Sequence, residues 1–198
     1  MKEFFDRMEA FAACTDASER AAIEAEVWDR FGVDQTVSIH DMSRFSRLTE
    51  KHGIIHYLSL VREMRATVAP IIENFGGAVV KFEADNSYVR FPDPHGAVQA
   101  AIAMNRAFDT ANSEKPDDHH IRISTGIDTG RFLLLGDGDF FGMPVNTASK
   151  LGEDIASGGD ILVSQGAMAA IPSDADVTYD REVFDISGIR IEACRVKY

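Results

Sequence analysis

Asp41 and Asp85 are the residues whose chemistry stands out first. Asp41 closes VSIHD, an apolar run with strand character, and Asp85 sits in the turn of VVKFEADNSYVRF, Val79 to Phe91, which reads as two strands around a turn. If the strand at 37–40 lies beside that hairpin, the two carboxylates converge at one edge of a sheet. Two anions so placed repel unless a cation sits between them, and oxygen-preferring Mg²⁺ or Mn²⁺ suits them. Two ions about 3.5–4 Å apart are the usual device for displacement at phosphorus. Taken singly, Asp41 reads as a cap and Asp85 as a turn residue. The same hairpin carries Lys81 and Glu83, charges that an ordinary hairpin of this pattern does not require.

The elements that must position these groups follow from periodicity. FFDRMEAFAACTDASERAAIEAEVWDRFG predicts one or two N-terminal helices ending near Gly32, an appendage over residues 1–34 ahead of a core over 35–198. VSIH is a strand. IHYLSLVREMRATVAPIIENFGG has helical spacing, with Pro70 inside it and a left-handed cap available at Gly76 and Gly77. After the hairpin, PDPHGAVQAAIAMNRAFDTAN is a helix, and IRISTGIDTGRFLLLGDGDFFG predicts a strand, a turn at Gly130 and a second strand. VNTASKLGEDIA is a helix, ILVS a strand, and the tail from Val177 a terminal hairpin. The expected fold class is α+β, a mostly antiparallel sheet with helices on one face.

Composition narrows the function. The chain has 198 residues, 45% hydrophobic and 26% charged, enough for one good core. Its net charge of -12 opposes nucleic-acid binding, so an anionic substrate needs a local basic site or metal ions. Two cysteines make no disulfide framework, and no apolar run is long enough to span a membrane, so the expectation is a cytoplasmic protein. His52 and His56 have the spacing of metal ligands without an evident third, and His119 and His120 lie in a polar loop; satisfied or solvated histidines are expected there.

Four stretches in order, DMSRF at Asp41, GGAVVKFEAD, GIDTGR and DFFGMPVNTASKL, resemble the class III adenylyl/guanylyl cyclase catalytic domain, from about Val37 to the C-terminus. The resemblance implies a ferredoxin-like βαββαβ core with extra C-terminal strands. It implies that Asp41 and Asp85 bind two Mg²⁺ or Mn²⁺ ions, that Lys81 and Asp139 read the purine, and that Asn146 orients the ribose. Lys150 falls where the family has an arginine that steadies the phosphate, and Arg131 matches a phosphate-contacting arginine of some members. The implied reaction is ATP to 3′,5′-cyclic AMP and pyrophosphate at a head-to-tail homodimer interface. One protomer would give Asp41, Asp85 and Arg131, and the other Lys81, Asp139, Asn146 and Lys150.

Departures from the family pattern bear on activity. Ala84 stands where a glycine usually precedes the second aspartate, Arg44 replaces a small glycine, and Lys150 lacks the planar fork of arginine. Glu83 has no family role and reads as solvated. Three functions are therefore compatible with the sequence: an adenylyl cyclase, a non-catalytic nucleotide-binding regulatory module, and a cyclase using GTP or a pyrimidine triphosphate.

Overall fold

A computed structural model describes residues 2–43, 45–136, 138–186 and 189–198. Arg44, expected beside the triphosphate, lies outside the described residues. Two N-terminal helices, α1 (Lys2–Ala13) and α2 (Ala17–Phe31), precede β1 (Gly32–Met42). Asp16 caps α2 by accepting from the Glu19 N–H at 2.9 Å, which satisfies one of the orphan donors of the first turn. The strand expected from Val37 begins five residues earlier, because Gly32 to Gln35 pair with Gly130 to Leu133. The helices are docked on the sheet: Phe4 and Val27 bury against Leu135, with Phe31 and Leu133 alongside.

Next come α3 (Phe45–His52) and α4 (Ile54–Asn74), separated by Gly53. Pro70 does not end α4, which runs on to a left-handed Gly76 with φ 78°; the Gly77 N–H then returns to the Ile72 carbonyl at 2.9 Å. The hairpin of β2 (Ala78–Glu83) and β3 (Asn86–Phe91) leads to α5 (Pro94–Asn112), and then β4 (Ile123–Leu135) and β5 (Asp139–Phe141). The chain continues through α6 (Met143–Ser149), a π-helical turn (Lys150–Ile155), β6 (Ile161–Ser164), α7 (Gln165–Ala169), β7 (Thr178–Ile186) and β8 (Ile189–Lys197).

The sheet order is β2-β3-β1-β4-β6-β8-β7, with β5 paired to β4. Its first four strands have the ferredoxin-like order, and among the described residues only the β4 to β6 pairing is parallel. Two expectations change. Gly130 is no turn: β4 passes straight through it, since Gln35 of β1 pairs opposite, and the chain reverses after Leu135. Nor do the helices keep to one face. Helices α4 and α5 bury Met64, Val68, Ile72 and Met104 on the face of Val89 and Ile127. Ala148 of α6 packs with Val37, Ile39, Phe132 and Phe140, residues that alternation assigns to the opposite face.

That second face positions the site. A Cβ on Gly126 would lie 2.0 Å from the Ala148 carbonyl, and one on Gly152 would lie 2.9 Å from the Ile39 carbonyl. Two glycines thus let α6 and the π-helical turn rest directly on β4 and β1.

Candidate active site

Asp41 lies directly opposite Asn86 on β3 and Ser124 on β4. By alternation with Val37 and Ile39 it shares the face covered by the π-helical turn. Asp85 is the second residue of the two-residue turn that joins β2 to β3, and Ala84 before it has φ 49°. Ala84 is the one non-glycine residue with positive φ among the described residues, in the position where the sequence lacks the usual glycine. Helix α4 holds this turn from below. The Arg65 guanidinium donates to the Ala84 carbonyl and covers the Phe82 ring at 5.0 Å, and the Tyr57 hydroxyl donates to Asp85 Oδ2 at 2.6 Å. Tyr57 is 2% exposed, so the rest of its ring is fixed in the core. An alanine in the left-handed region costs about 1–2 kcal/mol, part of which glycine returns as chain entropy. Ala84→Gly is therefore expected to raise stability by about 1 kcal/mol, read as a higher urea midpoint at unchanged m-value. A lower midpoint would show that the turn is not strained.

The carboxylates are electrostatically exposed to one another. Burial, then the charge of Asp85 and then that of Glu153, push the Asp41 carboxyl up to about 6, against a smaller opposing hydrogen bond from the Met42 backbone. Burial, the bond to Asp85 and the two aspartate charges likewise raise the Tyr57 hydroxyl. Glu153, on the π-helical turn, accepts from Asn86 Nδ2 at 2.7 Å, from the Tyr88 hydroxyl at 3.0 Å and from the Ser149 hydroxyl. Its oxygens are engaged by neutral donors, which leaves its charge to add to the field at Asp41.

The donor set fits a hard divalent cation. Among the described residues no group of three or more His, Cys, Asp or Glu side chains is arranged to hold a metal ion. A cation between Asp41 and Asp85 would thus have two carboxylates and complete its shell with neutral oxygens, water or phosphate, the way Mg²⁺ is commonly held. Asn86 Oδ1, on the residue opposite Asp41, is a buried acceptor with no hydrogen-bond partner among the described residues.

The second expected pair is also formed. Lys81 Nζ lies 3.3 Å from Asp139 Oδ1 and 4.9 Å from the centre of the Tyr88 ring. Burial draws the Lys81 ammonium down, but hydrogen bonds to Glu83 and Asp139 outweigh it and leave it raised. Glu83 is not simply solvated: although its side chain is 66% exposed, it pairs with Lys81 at 3.1 Å. Asn146 is exposed on α6, and Lys150 opens the π-helical turn three residues before Glu153. Neither side chain has a hydrogen-bond or ion-pair partner among the described residues.

Arg131 does not join Asp41 and Asp85 within the chain. It pairs across the sheet with Asp34, seven residues along β1 from Asp41, roughly 23 Å at the rise of a strand. Its guanidinium lies 4.9 Å over the Trp28 ring and donates to the Trp28 carbonyl at 3.3 Å, so α2 holds it at the far end of β4. The histidines are satisfied: His52 faces Asp118 at 3.0 Å, and His56 bonds the Asp118 carbonyl. His119 is exposed, as expected, and its ring meets His56 edge-on.

No family model matches the chain. Over 83% of its length it superposes on an adenylate/guanylate cyclase/hydrolase from Silicibacter pomeroyi, with a TM-score of 0.70, 26% identity and 96% of that chain covered. The adenylyl cyclase CyaB of P. aeruginosa aligns over 84% of this chain and 96% of its own, at a TM-score of 0.72 and 22% identity. The fold is that of a class III nucleotidyl cyclase catalytic domain. The guanylyl cyclase Cya2 superposes as well, with a TM-score of 0.71, 18% identity, and coverage of 83% and 92%, so the cyclase fold by itself leaves the base open. In sequence, the cyclase-like chain is 27% identical over 139 residues to a Rhizobium meliloti protein provisionally named adenylate cyclase 3. It covers 70% of this chain and 23% of that protein, and an uncharacterized Mycobacterium tuberculosis protein is matched over 38% of its length. The chain therefore spans less than half the length of these relatives.

Sequence reasoning missed Tyr57, Asn86, Tyr88 and Glu153. Tyr57 is hidden in an apolar helical stripe that reads as core, and Glu153 in a helix whose inward side depends on Gly126 and Gly152. Asn86, next to Asp85 in the quoted hairpin, was the one with a signal: alternation puts it on the face of Asp41 once β3 pairs with β1.

Proposed function

We propose that this domain is a metal-dependent nucleotidyl cyclase that converts ATP to 3′,5′-cyclic AMP and pyrophosphate in a head-to-tail homodimer. The observation that carries the reading is the Asp41 and Asp85 pair, whose charge no described ammonium or guanidinium offsets. Its mutual repulsion is what a pair of divalent cations would relieve, in a fold shared with nucleotide cyclases. Asp41 and Asp85 would hold the ions, which would acidify the ribose 3′-hydroxyl and offset charge on the triphosphate.

The chain's own residues supply recognition and orientation. Adenine offers an acceptor at N1 and a donor at its exocyclic amine. The Lys81 ammonium can donate to the first while Asp139, 3.3 Å from it, accepts from the second. Guanine presents the opposite polarity along that edge, so the pair favours ATP. Asn146 can offer its amide to the ribose and Lys150 its ammonium to the α-phosphate, since neither has a partner among the described residues. O3′ attacks the α-phosphorus as the bond to the pyrophosphate oxygen breaks, and the hydroxyl proton leaves to solvent. Positioning and charge stabilisation account for the rate. In the dimer, Asp41 and Asp85 of one protomer meet Lys81, Asp139, Asn146 and Lys150 of its partner. Arg131, stacked on Trp28, reaches phosphate only if α2 releases it. No described helix is long and apolar enough to cross a membrane, and with two unpaired cysteines we infer a cytoplasmic setting.

A second reading is a nucleotide-binding module without turnover. The bond from Tyr57 to Asp85 favours it, because that hydroxyl competes with a cation for Oδ2. Purified protein given ATP, GTP, CTP or UTP with Mg²⁺ and then Mn²⁺ separates the readings. Cyclic AMP with stoichiometric pyrophosphate is the expected result. Binding of ATP with no product under either metal would establish the module instead, and a preference for another triphosphate would overturn the purine assignment.

A further inference from the structure

Beyond the two aspartates, we propose that Asn86 is a third oxygen ligand of the cation at Asp41 and Asp85, with its side-chain amide held in the ligating orientation by Glu153. The inference rests on the metal-dependent reading above.

An asparagine amide has one acceptor end and one donor end, and a neighbour decides which way each faces. Glu153 Oε1 accepts from Asn86 Nδ2 at 2.7 Å, which fixes the donor end toward the π-helical turn. A flipped amide would set Oδ1 against a carboxylate oxygen, so the observed orientation is the stable one. The acceptor end is then committed elsewhere. Oδ1 is buried, and no described donor reaches it. An orphan buried acceptor destabilises a fold and persists only where something else offsets it.

The position of Asn86 says what that is. Asn86 is the residue after Asp85 and lies directly opposite Asp41 across β1 and β3, so its side chain leaves the sheet on the face of Asp41. Directly opposed residues have Cβ atoms about 4.5–5.5 Å apart, within the span of two ligands on one ion. The nearby field is strongly negative, from Asp41, Asp85 and Glu153 together, and no described ammonium or guanidinium pairs with either aspartate. A neutral oxygen donor is what such a site accepts without further repulsion. A fourth carboxylate would add charge, and a nitrogen donor would suit Mg²⁺ poorly.

Glu153 then acts through Asn86 and is a positioning residue. Three neutral donors, from Asn86, Tyr88 and Ser149, keep its carboxylate in place without a cation of its own. Ser149 and Glu153 flank Lys150 on the same stretch of chain, and the Tyr88 ring lies under Lys81. One carboxylate thus ties the cation end of the hairpin to the segments that carry both lysines.

The test uses the full chain without nucleotide. Mg²⁺ is titrated while the side-chain amide resonances are followed by NMR, and Mn²⁺ affinity is measured by electron paramagnetic resonance. The Asn86 amide is expected to shift with Mg²⁺, saturating with the same midpoint as binding. Asn86→Leu, near in volume but lacking the oxygen, should weaken Mn²⁺ about tenfold. Glu153→Leu should weaken it to a similar degree and abolish the amide shift. Glu153→Gln, which keeps an acceptor for Asn86, should retain that shift. A purely structural role would lower the melting temperature of these variants without separating Gln from Leu at position 153. An unmoved Asn86 amide in protein that binds Mg²⁺ and turns over ATP would overturn this inference alone. No Mn²⁺ binding and no turnover by the wild-type chain would overturn the metal-dependent reading and this inference with it.

Discussion

Asp41→Asn is expected to abolish cyclase turnover and at the same time to stabilise the metal-free protein. The loss of activity, by at least about a hundredfold, follows from removing one of two carboxylates that would hold the ions. The gain in stability follows from the sign of the Asp41 shift. Its carboxyl is pushed up to about 6, from an ordinary 3.8, by burial first and then by Asp85 and Glu153. The folded chain therefore holds this proton more tightly than the unfolded chain. That contribution is fully present below about pH 4 and is lost as the pH rises through about 6. At pH 7.5 the ionised Asp41 works against the fold, and asparagine removes the charge while keeping the shape. The full shift is worth about 3 kcal/mol, and screening at a partly exposed position reduces it to about 1 kcal/mol, or about 2–4 °C in melting temperature. Calorimetry in chelator at pH 7.5 should show the variant melting above wild type, with the gap narrowing at pH 5. A variant that melts lower at both values, or that keeps turning over ATP, would remove Asp41 from the site.

The second large effect is rescue between two inactive proteins. Asp85→Ala removes a cation ligand and Lys150→Ala removes the ammonium proposed for the α-phosphate, so each homodimer should be inactive. In a head-to-tail hybrid, one site receives both defects and the other neither. With random exchange of equal amounts, half of the dimers are hybrids with one sound site of two, which restores about a quarter of wild-type activity. The measurement is cyclic AMP production before and after subunit exchange, with exchange itself followed by a fluorescence label. Exchange without rescue would mean that each chain builds its site alone. Lys150 and Asn146 make the shared arrangement physically reasonable, since neither has a partner among the described residues of its own chain.

Periodicity and turn chemistry made much of the architecture legible in the sequence. The two N-terminal helices, the hairpin with Asp85 in its turn, and the long helix that stops just before Gly76 follow from local rules, because each depends on residues a few positions apart. Gly130 misled for the same reason. A glycine between apolar runs signals a turn locally, but pairing with Gln35 of β1, 95 positions earlier, keeps the strand going. The convergence of Asp41 with Asp85 was legible in part, since carboxylates at the end of a strand and in the neighbouring turn stand out, whereas the pairing of Lys81 with Asp139 was expected only from the resemblance to the cyclase family.

What the sequence alone determined is the set of polar groups placed on strands and turns, and the element order that can bring them to one sheet. Only the tertiary structure decided how they are held and which stay apart. Tyr57 reaches Asp85 because α4 packs its ring in the core beneath the turn, and Glu153 reaches Asn86 because Gly126 and Gly152 let the π-helical turn lie on the sheet. Arg131 is drawn to Trp28 because α2 docks at the far end of β4. Each is a contact between distant parts of the chain, set by the packing of apolar surfaces that do not carry the chemistry. Side-chain type is local information. The distance between two side chains depends on everything folded between them.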